Sequence, residues 1–293
     1  SDGTKYTNEN TVNLSLTATD ATSGLENRMS FSNDGITWSA WEARTSNKNN
    51  WDLLSGQGRK TVYVRYQDKA GNVNETEIFD RIVVDTTGPS FNSVSNDSGH
   101  TPVDSWSTHT SPRLEFSASD TKSGLRDYHL FFGTSDQGSI TSAWHPTLAD
   151  GTYAVKIRAY DNVANPTDSA VFNYQIDNTK PYFNSLSVAH TPYDGTGSNH
   201  NSPQFTFDVR DATSEINYIK AYIDGADQGN ISSPWEPTLS DGTHTIYLHA
   251  VDNAGNFIDS SSYTFKIDTQ SPIIDPLPAR TFNPYTDGST RVD

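Results

Sequence analysis

The chain has 293 residues, of which 36 are acidic and 20 basic, for a formal charge of −16. That balance argues against nucleic-acid or anionic-membrane partners, which require surplus Lys and Arg, and the absence of cysteine excludes disulfides, thiolate nucleophiles and Cys-ligated zinc. No run of about 18 apolar residues is present to span a bilayer, the start at Ser1 without a leader pattern reads as a mature or excised piece, and 33% apolar content suits several thin sandwiches better than one large core.

Three segments of the sequence align. The first begins at Thr11 (TVNLSLTATDATSGLENRMSF) and closes at Pro89; the second begins at Ser111 (SPRLEFSASDTKSGLRDYHLF) and closes at Pro181; the third begins at Ser202 (SPQFTFDVRDATSEINYIKAY) and closes at Pro272. Pro89 to Pro181 is 92 residues and Pro181 to Pro272 is 91. A period of this length is a small domain rather than a solenoid turn or a propeller blade. The expected organisation is three tandem domains, residues 1–88 (opening strand missing), 89–180 and 181–271. Residues 272–293 are then the opening segment of a further repeat or a donor strand.

Inside each segment the pattern is that of half-buried strands. Leu114, Phe116 and Ala118 alternate with polar residues, as do Val155, Ile157 and Ala159, and Ile246, Leu248 and Ala250. Turn signals such as Asn33-Asp34-Gly35, Asp150-Gly151, Asp241-Gly242, Gly71-Asn72 and Gly255-Asn256 separate the runs. Roughly seven short strands in about 90 residues is the signature of an immunoglobulin-like sandwich. The expected fold is therefore all-β, three such β-sandwiches in an elongated array.

The chain resembles the bacterial Ig-like repeats of large surface proteins and adhesins. The resemblance rests on Ser23-Gly24-Leu25 and Ser123-Gly124-Leu125 after a strand-ending Asp, on the D-x-A-G-N turn at Asp68, and on a strand closing Asp85-Thr86-Thr87-Gly88-Pro89. It covers nearly the whole chain. The second repeat departs from it at Asp161-Asn162-Val163-Ala164-Asn165, and the third at Ser214-Glu215-Ile216. It implies an extracellular or cell-surface location and a stalk, spacer or binding role.

Three aspartates recur per repeat: Asp20, Asp120 and Asp211 end the first central strand; Asp68, Asp161 and Asp252 open the D-x-A-G-N-type turn; Asp85, Asp177 and Asp268 precede the linker proline. The first two kinds are in phase with inward-facing positions, where a bare carboxylate is costly unless it is hydrogen-bonded or holds a metal. In immunoglobulin topology the two turns share one pole, the pole facing the preceding repeat. Asp85, Asp120 and Asp161 are thus expected to converge at the first junction, and Asp177, Asp211 and Asp252 at the second. Such hard-oxygen clusters take Ca²⁺, and calcium-stiffened junctions are what the resemblance implies. Capping of turns by Asp alone is the competing reading. Asp20 and Asp68 make an incomplete site, as does Asp268.

Trp41, Trp144 and Trp235 hold equivalent places in the three repeats and read as residues packed over each core edge, with sugar stacking as the alternative; Trp38, Trp51 and Trp106, which have no such counterparts, are the better surface-binding candidates. Ser32-Asn33-Asp34-Gly35 reads as a plain hairpin, and the histidines as solvated loop residues. Sequons occur at Asn13, Asn74, Asn96 and Asn230. No nucleophile elbow, P-loop or H-E-x-x-H is present. The function expected is a non-enzymatic structural or adhesive stalk of a secreted or surface protein, whose partners are neighbouring repeats of the same or an identical chain. A carbohydrate- or protein-binding module is the alternative. Pro284-Tyr285-Thr286-Asp287-Gly288 in the tail resembles Pro192-Tyr193-Asp194-Gly195. The chain reads either as a window of a longer array or as a subunit of a head-to-tail filament made by strand addition.

Overall fold

The alternating runs of the sequence are strands in the computed structural model, which describes residues 5–74, 78–96, 103–190 and 197–274. The tail landmark at residues 284–288 and His100 lie outside the described residues. Among the described residues every regular element is a strand. The chain divides into two compact units, Ser1–Thr179 with Asn253–Gly255, and Lys180–Asp252 with Asn256–Asp293.

The first unit opens with β1 (Lys5–Thr7), β2 (Thr11–Ser15), β3 (Leu25–Ser32), β4 (Asn47–Asp52), β5 (Gly58–Asp68) and β6 (Ile78–Val84). Here β1-β6-β5-β3 form one sheet and β2-β4 the facing one. Met29, Phe31, Val64 and Tyr66 are buried between them, with Leu14 and Trp51 packed against that cluster.

The same unit continues with β7 (Ser90–Asn96), β8 (Trp106–Ser107), β9 (Leu114–Ser119), β10 (Leu125–Phe132), β11 (Ser135–Ile140), β12 (Gly151–Asp161), β13 (Pro166–Asp168) and β14 (Phe172–Ile176). The β7-β9 pair faces a sheet in the order β11-β10-β12-β14-β8, with β13 added on β12. Leu114 and Phe116 of β9 pack on Val155 and Ile157 of β12 and on Tyr174 and Ile176 of β14. Each such side chain, taken fully out of water, contributes about 1.5–3 kcal/mol.

The second unit holds β15 (Tyr182–Ala189), β16 (Gln204–Arg210), β17 (Ile216–Ile223), β18 (Ala226–Asn230), β19 (Gly242–Asp252), β20 (Phe257–Asp259) and β21 (Tyr263–Ile267). The β15-β16 pair faces the sheet built on β17 and β19, around Phe205, Phe207, Ile246, Leu248 and Phe265.

Two sequence expectations about tryptophan are corrected. Trp144 and Trp235 do hold matching places: each bridges the first central strand, at Leu114 and at Phe205. Trp41 does not share that place. Leu53, Leu148 and Leu239 are equivalent buried residues, their amides donating to Asn10, Thr110 and Asn201. Trp144 and Trp235 each stand four residues before that leucine, but Trp41 stands twelve before it. Trp41 instead lies with Trp38 against the Arg65 guanidinium, at 4.7 and 4.3 Å. Trp51 is a packing residue, 5.3 Å from the Phe31 ring, with its indole N–H donating to Asn33 at 2.9 Å.

Candidate metal centre in the first unit

Strand register brings the turns together. In all three repeats the hydrophobic residue after the first turn pairs with the aspartate that opens the second: Leu25 with Asp68, Leu125 with Asp161, Ile216 with Asp252. The linker arrives at the same end in the first unit. Ser90 of β7 pairs with Ser119 of β9, so the chain leaving Asp85 is delivered beside Asp120.

Asp85, Asp120 and Asp161 accordingly each offer a carboxylate oxygen, all within 4.8 Å of one another. Asp85 and Asp161 are fully buried; Asp120 is half-buried. Asp85 Oδ1 accepts from the Thr87 amide at 3.2 Å and hydroxyl at 3.0 Å. Its Oδ2 accepts from the Ser123 amide at 3.1 Å. Asp161 Oδ1 accepts from the amides of Val163 and Asn165 at 2.9 and 2.8 Å, and Oδ2 from the Asn165 side chain at 2.7 Å. Asp120 Oδ1 accepts from the amides of Lys122 and Gly124 at 3.0 and 2.8 Å.

Turn capping is thus realised at every one of these aspartates, yet it leaves an oxygen over. Asp120 Oδ2 accepts no hydrogen bond among the described residues. No Lys or Arg among the described residues forms an ion pair with any of the three. Burial pushes the Asp85 carboxyl up, but hydrogen bonds from Ser123 and Thr87 together hold it below its ordinary value. It is therefore ionised at neutral pH. Two unit charges no more than 4.8 Å apart repel by at least about 3 kcal/mol at an effective dielectric of about 20. Clustered hard carboxylate oxygens are the donor chemistry that Ca²⁺ takes.

Two residues that sequence reasoning passed over complete the frame. Asn165 donates from one amide nitrogen to the Asp85 carbonyl at 2.9 Å and to Asp161, tying the linker to the second turn. Ser123 supplies the amide that holds Asp85 Oδ2. The signal for Asn165 was present: Asn72, Asn165 and Asn256 each lie four residues after an aspartate that the same asparagine hydrogen-bonds.

The other aspartates behave locally in the same way. In the first unit, Asp20 Oδ1 accepts from Thr22, Ser23 and Gly24. The side-chain hydrogen bond from Asn72 holds Asp68 below its ordinary value. Asp177 is buried, and its Oδ1 accepts from the Thr179 amide at 2.9 Å. In the second unit, Asp252 is buried and takes both the amide and the side chain of Asn256 at 2.8 Å. Asp211 Oδ1 accepts from Thr213, Ser214 and Glu215, while its Oδ2 is buried without a hydrogen-bond partner. Asp268 is exposed at the end of β21.

Residues 193–269 match the sequence model of the bacterial Ig-like domain. No curated protein matches the chain by sequence. Among solved structures, the chain is similar to fibronectin(III)-like modules of Clostridium thermocellum CbhA, with a TM-score of 0.33 and 20% identity, covering 60% of this chain and 93% of that one. It is also similar to a Ca²⁺-stabilised adhesin that helps an Antarctic bacterium bind ice, with a TM-score of 0.39 and 15% identity over 88% and 69% of the two chains. A tetra-tandem repeat from the extending region of a large adhesion protein has a TM-score of 0.31 and 18% identity over 92% and 73%.

Proposed function

We propose that this chain is a non-enzymatic spacer segment of a secreted or cell-surface bacterial protein, made of three tandem Ig-like domains, and that Ca²⁺ stiffens its junctions. The observation that carries the reading is the carboxylate set Asp85, Asp120 and Asp161, gathered where one repeat hands over to the next; Lys122 reaches the Thr87 hydroxyl at 3.4 Å and ion-pairs with none of the three. In this reading Asp85 anchors the ion from the linker, and Asp120 and Asp161 hold it from the two turns. Asp177, Asp211 and Asp252 occupy the same sequence places one period on and are the second candidate set. Asp211 has a buried Oδ2 without a hydrogen-bond partner, as Asp120 has an Oδ2 that accepts no hydrogen bond among the described residues. The ion converts mutual repulsion into coordination and locks the linker to both turns. The linker itself is short, and Pro89 restricts both its own φ and that of the residue before it.

The test is calcium titration by calorimetry, with melting and small-angle scattering in calcium and in chelator. The expected result is micromolar or tighter binding, a higher melting temperature and a narrower distribution of scattering dimensions. Identical melts and scattering in the two conditions would leave turn capping as the whole role of these aspartates.

A further inference from the structure

One face of the first repeat is cationic and aromatic in a chain of formal charge −16. It is the outer face of the sheet β1-β6-β5-β3, in which β1 lies on β6 as β8 lies on β14 in the second repeat. Val62, Val64 and Tyr66 of β5 are buried, so Arg59, Thr61, Tyr63, Arg65 and Gln67 face out, because side chains alternate along a strand. Register sets Val83, Arg81 and Phe79 of β6 opposite Arg59, Thr61 and Tyr63. No outward position of either strand is acidic. Phe79 is 42% exposed, and Tyr6 of β1, opposite Val83, is 38% exposed.

The arginines of this face have rings where arginines elsewhere have carboxylates. In the second and third repeats all four described arginines are ion-paired: Arg113 with Glu115, Arg126 with Asp127, Arg158 with Asp168, Arg210 with Asp208. Arg59, Arg65 and Arg81 form no ion pair among the described residues. The Arg81 guanidinium lies 4.5 Å from the Phe79 ring centre, and the Phe79 ring 5.7 Å from that of Tyr63. Arg65 lies against Trp38 and Trp41, and its Nε is buried with no hydrogen-bond partner. These tryptophans come from the segment after β3, which returns beside it with Ser39 bonded to Phe31 and Glu42 to Met29. Cation–π attraction explains why each guanidinium rests on a ring. It does not explain why every outward position of both strands lacks a carboxylate. A stacked guanidinium gives its flat face to the ring and keeps its N–H edge for an anion.

We infer that this face binds an acidic polysaccharide, whose uronate carboxylates meet Arg59 and Arg81 while its pyranose rings stack on Phe79 and Tyr63. Arg59 and Arg81 are diagonal neighbours on adjacent strands, about 7–8 Å apart, so one polymer chain reaches both. Arg65, fixed by its two tryptophans, extends the positive row along β5. A uronate offers both chemistries in one residue. Its carboxylate fits the guanidinium fork with two parallel hydrogen bonds, and its ring presents a face of C–H groups to the negative face of an aromatic ring. An acidic peptide offers the carboxylates without that ring face, and a neutral glucan the ring face without the charge. This role goes beyond spacing and uses none of the aspartates of the calcium reading.

The experiment is affinity electrophoresis and calorimetry of the full chain with polygalacturonate and with alginate, in chelator so that no divalent cation bridges polymer and aspartates. Polyuronate is expected to retard the chain, and binding to weaken as sodium chloride is raised. Arg59→Gln and Arg81→Gln are each expected to weaken binding at least about tenfold, and Phe79→Ala about fivefold. Arg81→Lys keeps the charge and loses the fork, so its loss is expected to be smaller than that of Arg81→Gln. Arg210→Gln removes an equal charge from the third repeat and is expected to leave binding unchanged. Melting curves establish that each variant is folded. No retardation by either polyuronate, equal retardation by dextran, equal binding of polyglutamate, or an Arg210→Gln variant that weakens binding as much as Arg81→Gln would each overturn the proposal. The dextran result would leave an aromatic platform for neutral sugars, and the polyglutamate result a docking face for an acidic protein segment.

Discussion

Ala164 and Glu215 hold backbone conformations that suit glycine. Ala164 has φ of 71°, where Gly71 and Gly255 in the matching turns have 92°, and Glu215 has φ of 66°, where Gly24 and Gly124 have 76° and 83°. These are the two places where the repeats depart from their shared turn sequences. An L side chain in the left-handed region costs about 1–2 kcal/mol, partly offset by the greater freedom glycine gains on unfolding. Ala164→Gly and Glu215→Gly are therefore each expected to stabilise by about 0.5–1 kcal/mol, read from urea midpoints. A Cβ on Gly255 would meet nothing within 4 Å, so Gly255→Ala isolates the conformational cost and should lose about 1 kcal/mol. Asp161 offers a sharper test at the same scale. Asp161→Asn can keep an oxygen for the amides of Val163 and Asn165 while removing one of three clustered charges. It also sets an amide nitrogen against the Asn165 side chain that donates to Oδ2, so in chelator the lost hydrogen bond offsets the relieved repulsion and stability should change little; in calcium it should lose most of the calcium-dependent rise in melting temperature. Equal effects in both conditions would mean that the carboxylate acts only as a cap.

Linker and strand edge are the elements on which the first junction depends. Gly88 approaches β13 so closely that a Cβ there would stand 2.5 Å from the Pro166 carbonyl oxygen and 2.6 Å from the Thr167 hydroxyl. The obstacle is backbone, which cannot rotate aside. Gly88→Ala must displace the linker from β13, and should cost about 1–3 kcal/mol and disturb the nearby Asp85, measured as lost stability and weaker calcium binding together. On β13 itself, Asp168 receives Arg158 and Lys156 from β12. The Arg158 hydrogen bond, aided by Lys156, brings its carboxyl down to about 2. The folded value lies below the unfolded one of about 3.9, so this pair contributes above about pH 4 and is lost as pH falls towards 2. The group is a third exposed, which limits the contribution to under about 1 kcal/mol. Asp168→Asn should remove that share of the pH dependence of stability between those limits and leave neutral-pH calcium binding unchanged.

For the molecule as a whole, the acidic surplus and the carboxylate set Asp85, Asp120 and Asp161 point the same way. A chain with formal charge −16 repels itself, and divalent cations relieve that repulsion where the charges are densest. Calcium should therefore raise the melting temperature by far more than an equal ionic strength of sodium chloride. Asp120→Ala should abolish the effect at the first junction and leave the contribution of Asp211 and Asp252 in place, so the double variant Asp120→Ala/Asp211→Ala should lose more than either alone. Differential scanning calorimetry of the three variants distinguishes this additivity from a general salt effect, which would survive in all of them.

The sequence alone determined the strands and the ends at which the aspartates stand. Alternation along a strand is a local property, set by side chains pointing to opposite faces every second residue, so Val155, Ile157, Ala159 and Asp161 could be read as one buried face without a neighbour in view. The equivalence of Asp20, Asp120 and Asp211 was legible for the same reason, from spacing within a repeat. Tertiary structure decided what local spacing cannot carry. Trp41 shares its local sequence with Trp144 and Trp235 but not their place, because the longer segment between it and Leu53 puts other residues at the bridge to the first central strand. The bridging role of Asn165 depends on β7 pairing with β9 and β10 with β12, contacts between residues far apart in the chain.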